Sequence, residues 1–313
     1  MNDSKDKTKE LIALHNKAPY VFTLWTEDCK FIDCNDAALK FFGVKSKKEY
    51  AENTSCFIPK FQSDDSESLE TVEKHFKKCL ETECFYNEFI MEKPNHTQVP
   101  VYVYLQKIKI LDIFFVISYH FILSANNSTQ KQIEIRNKLL KSLNKISELA
   151  LKSFDVDTVD MNKMMYDILK SIGSAGRADR CYIWENYYPP DSSLLYMRQI
   201  YEWVDGVDSV HGTELIDYVT YEPSTYDILS AGKVLNAIIK DMDDYNRMIL
   251  EDQGIKSILI APVHIEDNFW GFIGFDNCHS EELWEDFEEE ILRTASLITA
   301  TIVSKFEKMK KKR

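Results

Sequence analysis

Seven cysteines, at positions 29, 34, 56, 79, 84, 181 and 278, are the most chemically versatile side chains in this sequence. Their number is odd and no two form a Cys-x-x-Cys pair, so the spacing specifies neither a disulfide framework nor a zinc ribbon; reduced, mostly buried thiols are expected. Acid/base or nucleophilic catalysis needs a Ser, Cys or carboxylate beside a group that activates it. No motif sets up such a pair, and the acidic run Asp241-Met242-Asp243-Asp244 reads as the cap of a helix. Phosphate chemistry needs glycine so that backbone N–H groups can close on the phosphate. The chain has nine glycines, under half the usual frequency of about 7%. Its closest pairs, Gly173/Gly176 and Gly271/Gly274, fit no nucleotide loop. Kinase, cyclase and dinucleotide-binding motifs are all missing from the sequence.

Charge narrows the partners. A formal net charge of -13 disfavours nucleic acid, which needs a basic stripe, and the dense basic run is confined to residues 308–313. The apolar run 110–117 is broken by Asp112 and is far shorter than the roughly 20 residues that span a bilayer. The first residues, Met1-Asn2-Asp3-Ser4-Lys5, lack the apolar region of a signal peptide, so a cytoplasmic protein without a membrane span is expected. With 313 residues and 44% hydrophobic residues, two ordinary domains with separate cores are expected.

The elements that would position a site follow from periodicity. A charged amphipathic helix fits 4–16, strands fit 20–26 and 31–34, and Asn35-Asp36 can cap a helix that stops at Gly43. A helix fits 65–82, followed by strands at 84–91, 99–108 and 113–123. The polar break 124–129 marks a boundary. Helices then fit 133–154 and 157–172, the first with Arg136, Leu139, Leu143, Ile146 and Ala150 in a row that either seals a two-stranded coiled coil or packs on its own domain. Strands fit 180–187 and 194–204, a helix 223–231, a strand 234–239, a helix 244–253, and a hairpin of apolar runs 258–265 and 269–275 turns at Glu266-Asp267-Asn268. A last helix over 281–313 carries Trp284, Phe287, Ile291, Ile298, Ile302, Phe306 and Met309 on one side, acids first and bases last. That row is expected to outrun its own core and to need a partner.

Two families are resembled. Residues 8–124, with Asn35-Asp36-Ala37-Ala38-Leu39-Lys40-Phe41-Phe42-Gly43 after the second strand, look like a PAS domain. Residues 180–186 and 199–204 look like the first two strands of a GAF domain, and the hairpin 258–275 followed by an acidic helix start resembles its C-terminal half. The fold class is therefore α+β: two domains, each a mainly antiparallel sheet flanked by helices, joined and ended by long helices. The boundaries are 8–124 for the PAS-like domain, 125–155 for a linker and helix, 156–306 for the GAF-like domain (from near 135 if its first helix is included), and 307–313 for the basic end of the last helix.

The resemblance implies a sensor of signal transduction, as in two-component systems. A small molecule would occupy a pocket, two copies would pair through the terminal helices, and a histidine kinase or diguanylate cyclase output would follow. The alternatives are a dimerisation module without ligand, and a sensory fragment of such an enzyme. The implied GAF pocket candidates are Tyr182, Trp184, Tyr201, Trp203, Tyr226, Ile228 and Trp270, with plain core packing as the competing role for each ring. The implied PAS pocket candidates are Asn35, Leu39 and Phe42. No specific cofactor is indicated. The Asn-Lys-Phe-Asp-Glu signature of cyclic-nucleotide binders is missing, and neither Cys181 nor Cys278 lies in a bilin-attachment motif. Residues 53–62, around Cys56, have only a partial likeness to a flavin-binding segment, and His75, a conceivable haem ligand, reads as a solvated helical histidine.

Overall fold

A computed structural model describes residues 2–123, 130–153, 160–210, 217–218 and 221–310. The chain divides into two compact units, Met1–Thr129 and Gln130–Arg313.

In the first unit α1 (Asn2–His15) leads into β1 (Val21–Thr26) and β2 (Phe31–Cys34). The short helices α2 (Asp36–Phe42) and α3 (Lys47–Glu52), a 3-10 turn (Thr54–Phe57) and α4 (Ser68–Thr82) precede β3 (Cys84–Glu92), β4 (Gln98–Ile110) and β5 (Ile113–Ile122). The five strands form an antiparallel sheet in the order β2-β1-β5-β4-β3. Because side chains alternate along a strand, the sheet has two apolar faces. One carries Phe22, Leu24, Ile117 and Tyr119, and His15 of α1 stacks on Phe22 with ring centroids 4.2 Å apart. The other carries Val21, Val101 and Val116 toward α2, α3 and α4. The helix read from sequence over 65–82 starts at Ser68 instead, and α3 was not anticipated.

The second unit contains α5 (Gln130–Ser153), α6 (Met161–Gly173), β6 (Arg180–Tyr187), β7 (Tyr196–Val204), β8 (Asp217–Tyr218), α7 (Pro223–Ser230), β9 (Leu235–Ile238), α8 (Asp244–Glu251), β10 (Ser257–Ile265), β11 (Asn268–Asn277) and α9 (Asp286–Lys310). Its six strands form an antiparallel sheet in the order β8-β7-β6-β11-β10-β9. Helices α5, α6 and α9 pack together against one face; α7 and α8 lie with the opposite face. The polar break 124–129 lies outside the described residues.

Of the two roles open to the row on α5, packing on its own unit is the one found, and α9 starts later than expected. The helical row Leu139, Leu143, Ile146 and Ala150 of α5 is fully buried within the unit, against α6 and α9. The row on α9 is likewise covered from Phe287 to Ile302, so within these residues no outside partner is required to bury it. The last helix also begins five residues later than expected, because residues before it are held extended. Asn236 brackets Trp284, accepting its N–H at 3.1 Å and donating to its carbonyl at 2.9 Å. Glu288 then accepts the Glu285 N–H at 2.8 Å, closing the helix start from inside.

Candidate ligand pockets

Each unit contains a cavity of its own. In the second unit a cavity of about 100 Å³ lies between the sheet and the α7/α8 side. Strand alternation decides its walls. In an antiparallel pair, opposed residues share a face, so Tyr182 opposite Gly274, Trp184 opposite Phe272 and Arg180 opposite Asp276 all stand on the cavity side. Trp184 and Phe272 lie parallel with centroids 5.9 Å apart, and Tyr182 meets Phe272 edge-on at 6.4 Å. Leu229, Ile258 and Ile260 complete an apolar body. Gly274 makes the arrangement possible, since a Cβ there would fall 2.7 Å from the Tyr182 hydroxyl.

The polar end is built around Asp276, which is 2% exposed. The Tyr182 hydroxyl donates to its Oδ1 at 2.7 Å, while Arg180 Nη1 lies 3.8 Å from Oδ2. Burial pushes the Asp276 carboxyl up from 3.8 to about 7, against the opposing pull of the Tyr182 hydrogen bond and the Arg180 charge. Gln199 also lines the cavity, 5% exposed; its Nε2 donates to Glu202 Oε1 at 3.2 Å and its Oε1 is buried without a donor.

Of the seven aromatic and aliphatic candidates, Tyr182 and Trp184 line this cavity and the other five do not. Tyr201 and Trp203 stand on the opposite face because β7 carries a bulge. Ile183 pairs with Tyr201 but Trp184 pairs with Gln199, which leaves Ile200 as an extra residue and inverts the alternation beyond it. Trp203 accordingly packs on Gly173 of α6, and the Tyr201 hydroxyl meets Asn162 of α6 at 3.2 Å. Trp270 is the extra residue of a second bulge, where Val263 pairs with Gly271 and His264 with Phe269. Phe269 takes its place in the cluster around the cavity, 5.7 Å from the Tyr221 ring. Tyr226 is 39% exposed at the rim, 5.8 Å from Tyr221, and Ile228 is half-buried outside the cavity walls. Asp276, Gln199 and Phe272 were not singled out from the sequence. The period-two run Phe272, Gly274, Asp276 could have revealed the buried carboxylate.

In the first unit a cavity of about 300 Å³ is walled by Trp25, Tyr50, Phe57, Phe76 and Phe89, with Ser118, His120, His75 and Glu73 as polar members. His120 is 8% exposed, shares a 2.8 Å hydrogen bond with the Ser118 hydroxyl through Nε2, and has no partner at Nδ1. Burial lowers it to about 4, so it is neutral. The candidates Asn35, Leu39 and Phe42 do not line this cavity. Phe42 forms the layer behind it, 4.4 Å from Phe57, and Leu39 packs against the same cluster. Asn35 is a fully occupied structural hub: its Oδ1 accepts from Phe22 N and Ala38 N, and its Nδ2 donates to the carbonyls of His15 and Tyr20. His75 is not simply solvated, as its ring rests 4.6 Å from Phe85 on the cavity wall. Cys56, at the centre of the flavin-like segment, is exposed.

Among the described residues no cluster of three or more His, Cys, Asp or Glu side chains could hold a metal, and no helix is long and apolar enough to cross a membrane.

Comparison with known proteins gives these units their families. Residues 19–129 match the PAS domain and residues 160–303 match the GAF domain. The methanogenesis regulatory histidine kinase FilI of Methanothrix harundinacea is 37% identical over 165 residues, which are 51% of this chain and 18% of that protein. The chain thus spans under a fifth of this relative. Among solved structures, the phycocyanobilin-bound GAF domain of a cyanobacterial phytochrome is 18% identical, with 54% of this chain and 96% of that one covered at a TM-score of 0.44. The chromophore-binding domain of a bacteriophytochrome from R. palustris is 8% identical over 96% of this chain and 97% of that one, also at 0.44. In architecture and in the families matched, the chain is a PAS domain followed by a GAF domain.

Proposed function

We propose that this chain is a sensory module of signal transduction, in which a small ligand held in the GAF cavity alters the packing of the long helices. The observation that carries this reading is the two-sided use of one hairpin. Strands β10 and β11 present Ile258, Ile260, Phe272 and Asp276 to the cavity. Their alternate residues, among them Leu259 and Phe275, are fully buried on the face where α9 packs, and Phe275 lies 5.4 Å from Trp284 just before that helix. A ligand that separates or rotates the hairpin therefore acts on α9 without an intermediary, and any preference for one packing shifts the population toward it.

The PAS cavity is the second ligand site of this proposal. The sensory units are residues 8–124 and 156–306, with 125–155 as the joining segment and 307–313 as the basic end of the last helix. The remaining parts are pairing of two copies through the ends of the terminal helices, a cytoplasmic setting, and a kinase or cyclase output. The kinase output is suggested by the histidine kinase relative, of which this chain matches a small share. Native mass spectrometry of the purified chain, set against its denatured mass, tests ligand retention: a releasable adduct is expected, and a bare chain refutes it. Spin labels at exposed Lys141 of α5 and Thr301 of α9 then report the relay, with a distance change between ligand-bound and stripped protein expected and an unchanged distance refuting it.

A further inference from the structure

We propose that the GAF cavity selects a one-ring aromatic ligand that donates N–H groups, its ring set beside Trp184 and Phe272 and its donors directed to Asp276 and Gln199. This rests on the reading of the cavity as a ligand site and specifies what that ligand must be.

Size sets the first limit. A 150 Å³ cavity in an apolar core holds benzene. At about 100 Å³ this cavity is smaller than that, so one ring is the largest guest it takes, with its walls moving slightly outward, and a nucleotide or a chain of rings exceeds it. Shape sets the second. The Trp184 and Phe272 rings both line the cavity, and an aromatic guest gains offset or edge-to-face contacts with them that a branched aliphatic one does not.

Hydrogen bonding sets the third. Gln199 is 5% exposed, and its amide is oriented by the Nε2 bond to Glu202 Oε1, a carboxylate that can only accept. Its carbonyl oxygen is therefore the free atom, and it has no donor. Asp276 uses Oδ1 to accept from Tyr182. Its Oδ2 has the Arg180 Nη1 at 3.8 Å, beyond hydrogen-bond length, because Arg180 commits Nε to the Asp208 carbonyl and Nη2 to the Gln253 carbonyl, both at 3.1 Å. The Gln199 oxygen thus lacks a donor, and a buried acceptor left unmade costs free energy that a donating guest recovers. A carboxylate or phosphate guest would bring a third set of acceptors and a repulsion from Asp276 and Glu202. A hydrocarbon ring would fill the space and leave the Gln199 oxygen bare. An amino-substituted heteroaromatic ring meets all three limits.

The test uses the full chain and three rings of matched size: 2-aminopyridine as donor, toluene as apolar control, and benzoate as anion. Binding is read from the indole N–H resonance of Trp184 and by titration calorimetry, in wild type and in Gln199→Leu, which keeps the volume and removes the acceptor. The expected result is binding of 2-aminopyridine at least tenfold tighter than toluene or benzoate, with a loss of about tenfold in Gln199→Leu. Tyr226→Phe at the rim serves as the control variant and is expected to bind as wild type. Toluene or benzoate binding as tightly as 2-aminopyridine, or Gln199→Leu binding it unchanged, overturns the proposal while leaving a small-ligand cavity in place. Failure of all three rings to bind overturns this proposal, and a retained adduct in native mass spectrometry would still uphold the sensory reading.

Discussion

Replacing Asp276 by Asn should change how the stability of the GAF unit depends on pH. Buried at the end of the cavity, the carboxyl sits at about 7 in the folded chain, against an ordinary 3.8. The folded state therefore holds this proton more tightly than the unfolded state does. Below about pH 4 both states are protonated and Asp276 costs nothing. As pH rises through about 4 the unfolded chain releases its proton while the folded chain keeps it, and stability falls until the folded carboxyl also ionises near pH 7. Three pH units at about 1.4 kcal/mol each amount to a loss of about 4 kcal/mol, complete by about pH 8. Asn keeps the shape and an acceptor for the Tyr182 hydroxyl but does not titrate. The Arg180 attraction is already contained in the Asp276 titration, so it does not enter twice. Urea unfolding of Trp25→Phe protein, followed by Trp fluorescence to isolate the second unit, should be compared with and without the added Asp276→Asn change. The two curves should separate between about pH 4 and 8, in favour of Asp276→Asn. Curves that stay parallel within about 1 kcal/mol would refute the burial argument.

Further outcomes follow from other contacts. Gly274→Ala should drive the Tyr182 ring off Asp276 and destabilise the GAF unit by about 1–3 kcal/mol, seen as reduced near-ultraviolet circular dichroism and an earlier urea midpoint. Arg177 grips Glu288 with two bonds, at 2.7 and 3.1 Å, and the Glu288 side chain is 1% exposed. Arg177→Ala strands that carboxylate and should lower stability by about 3–5 kcal/mol, whereas a double change to Met and Leu should cost less, both read from urea unfolding. Asn35→Ala removes four hydrogen bonds, leaving Ala38 N and the His15 carbonyl with one backbone partner each. It should destabilise the PAS unit by about 3 kcal/mol or more, measured through Trp25 fluorescence.

Much of the fold was legible because local chemistry and periodicity agreed. Asn35 caps α2 through its side chain and Gly43 ends it at φ 67°, as their residue types suggest. The hairpin of β10 and β11 was visible as two apolar runs around a polar turn. What escaped was either short or dependent on distant partners. Helix α3 was passed over, although Ser46 and Glu49 spell a capping box; the Ser46 hydroxyl accepts the Glu49 N–H at 3.2 Å. The late start of α9 depends on Asn236, 48 residues earlier in the chain, and no local pattern encodes such a clamp. The site was the least legible part. Aromatic residues were sensible guesses, but which face each ring occupies depends on strand register, and a period of two carries no mark of where one residue is skipped. In the PAS unit the helix beside the pocket was identified while its residues were assigned one layer too far inward, since Tyr50 and Phe57 from the overlooked segment come between.

The single skipped residues at Ile200 and Trp270 bear on how related chains should be compared. The slip at Ile200 falls between β7 and β6 beside Trp184, and the slip at Trp270 falls between β11 and β10, and column-by-column matching sees neither. A chain lacking either insertion would swing a different set of rings inward with scarcely any change in overall composition. Two chains of equal likeness could then recognise different molecules. Grouping such chains by where the slip falls, rather than by percentage identity, would sort them by what they are able to hold.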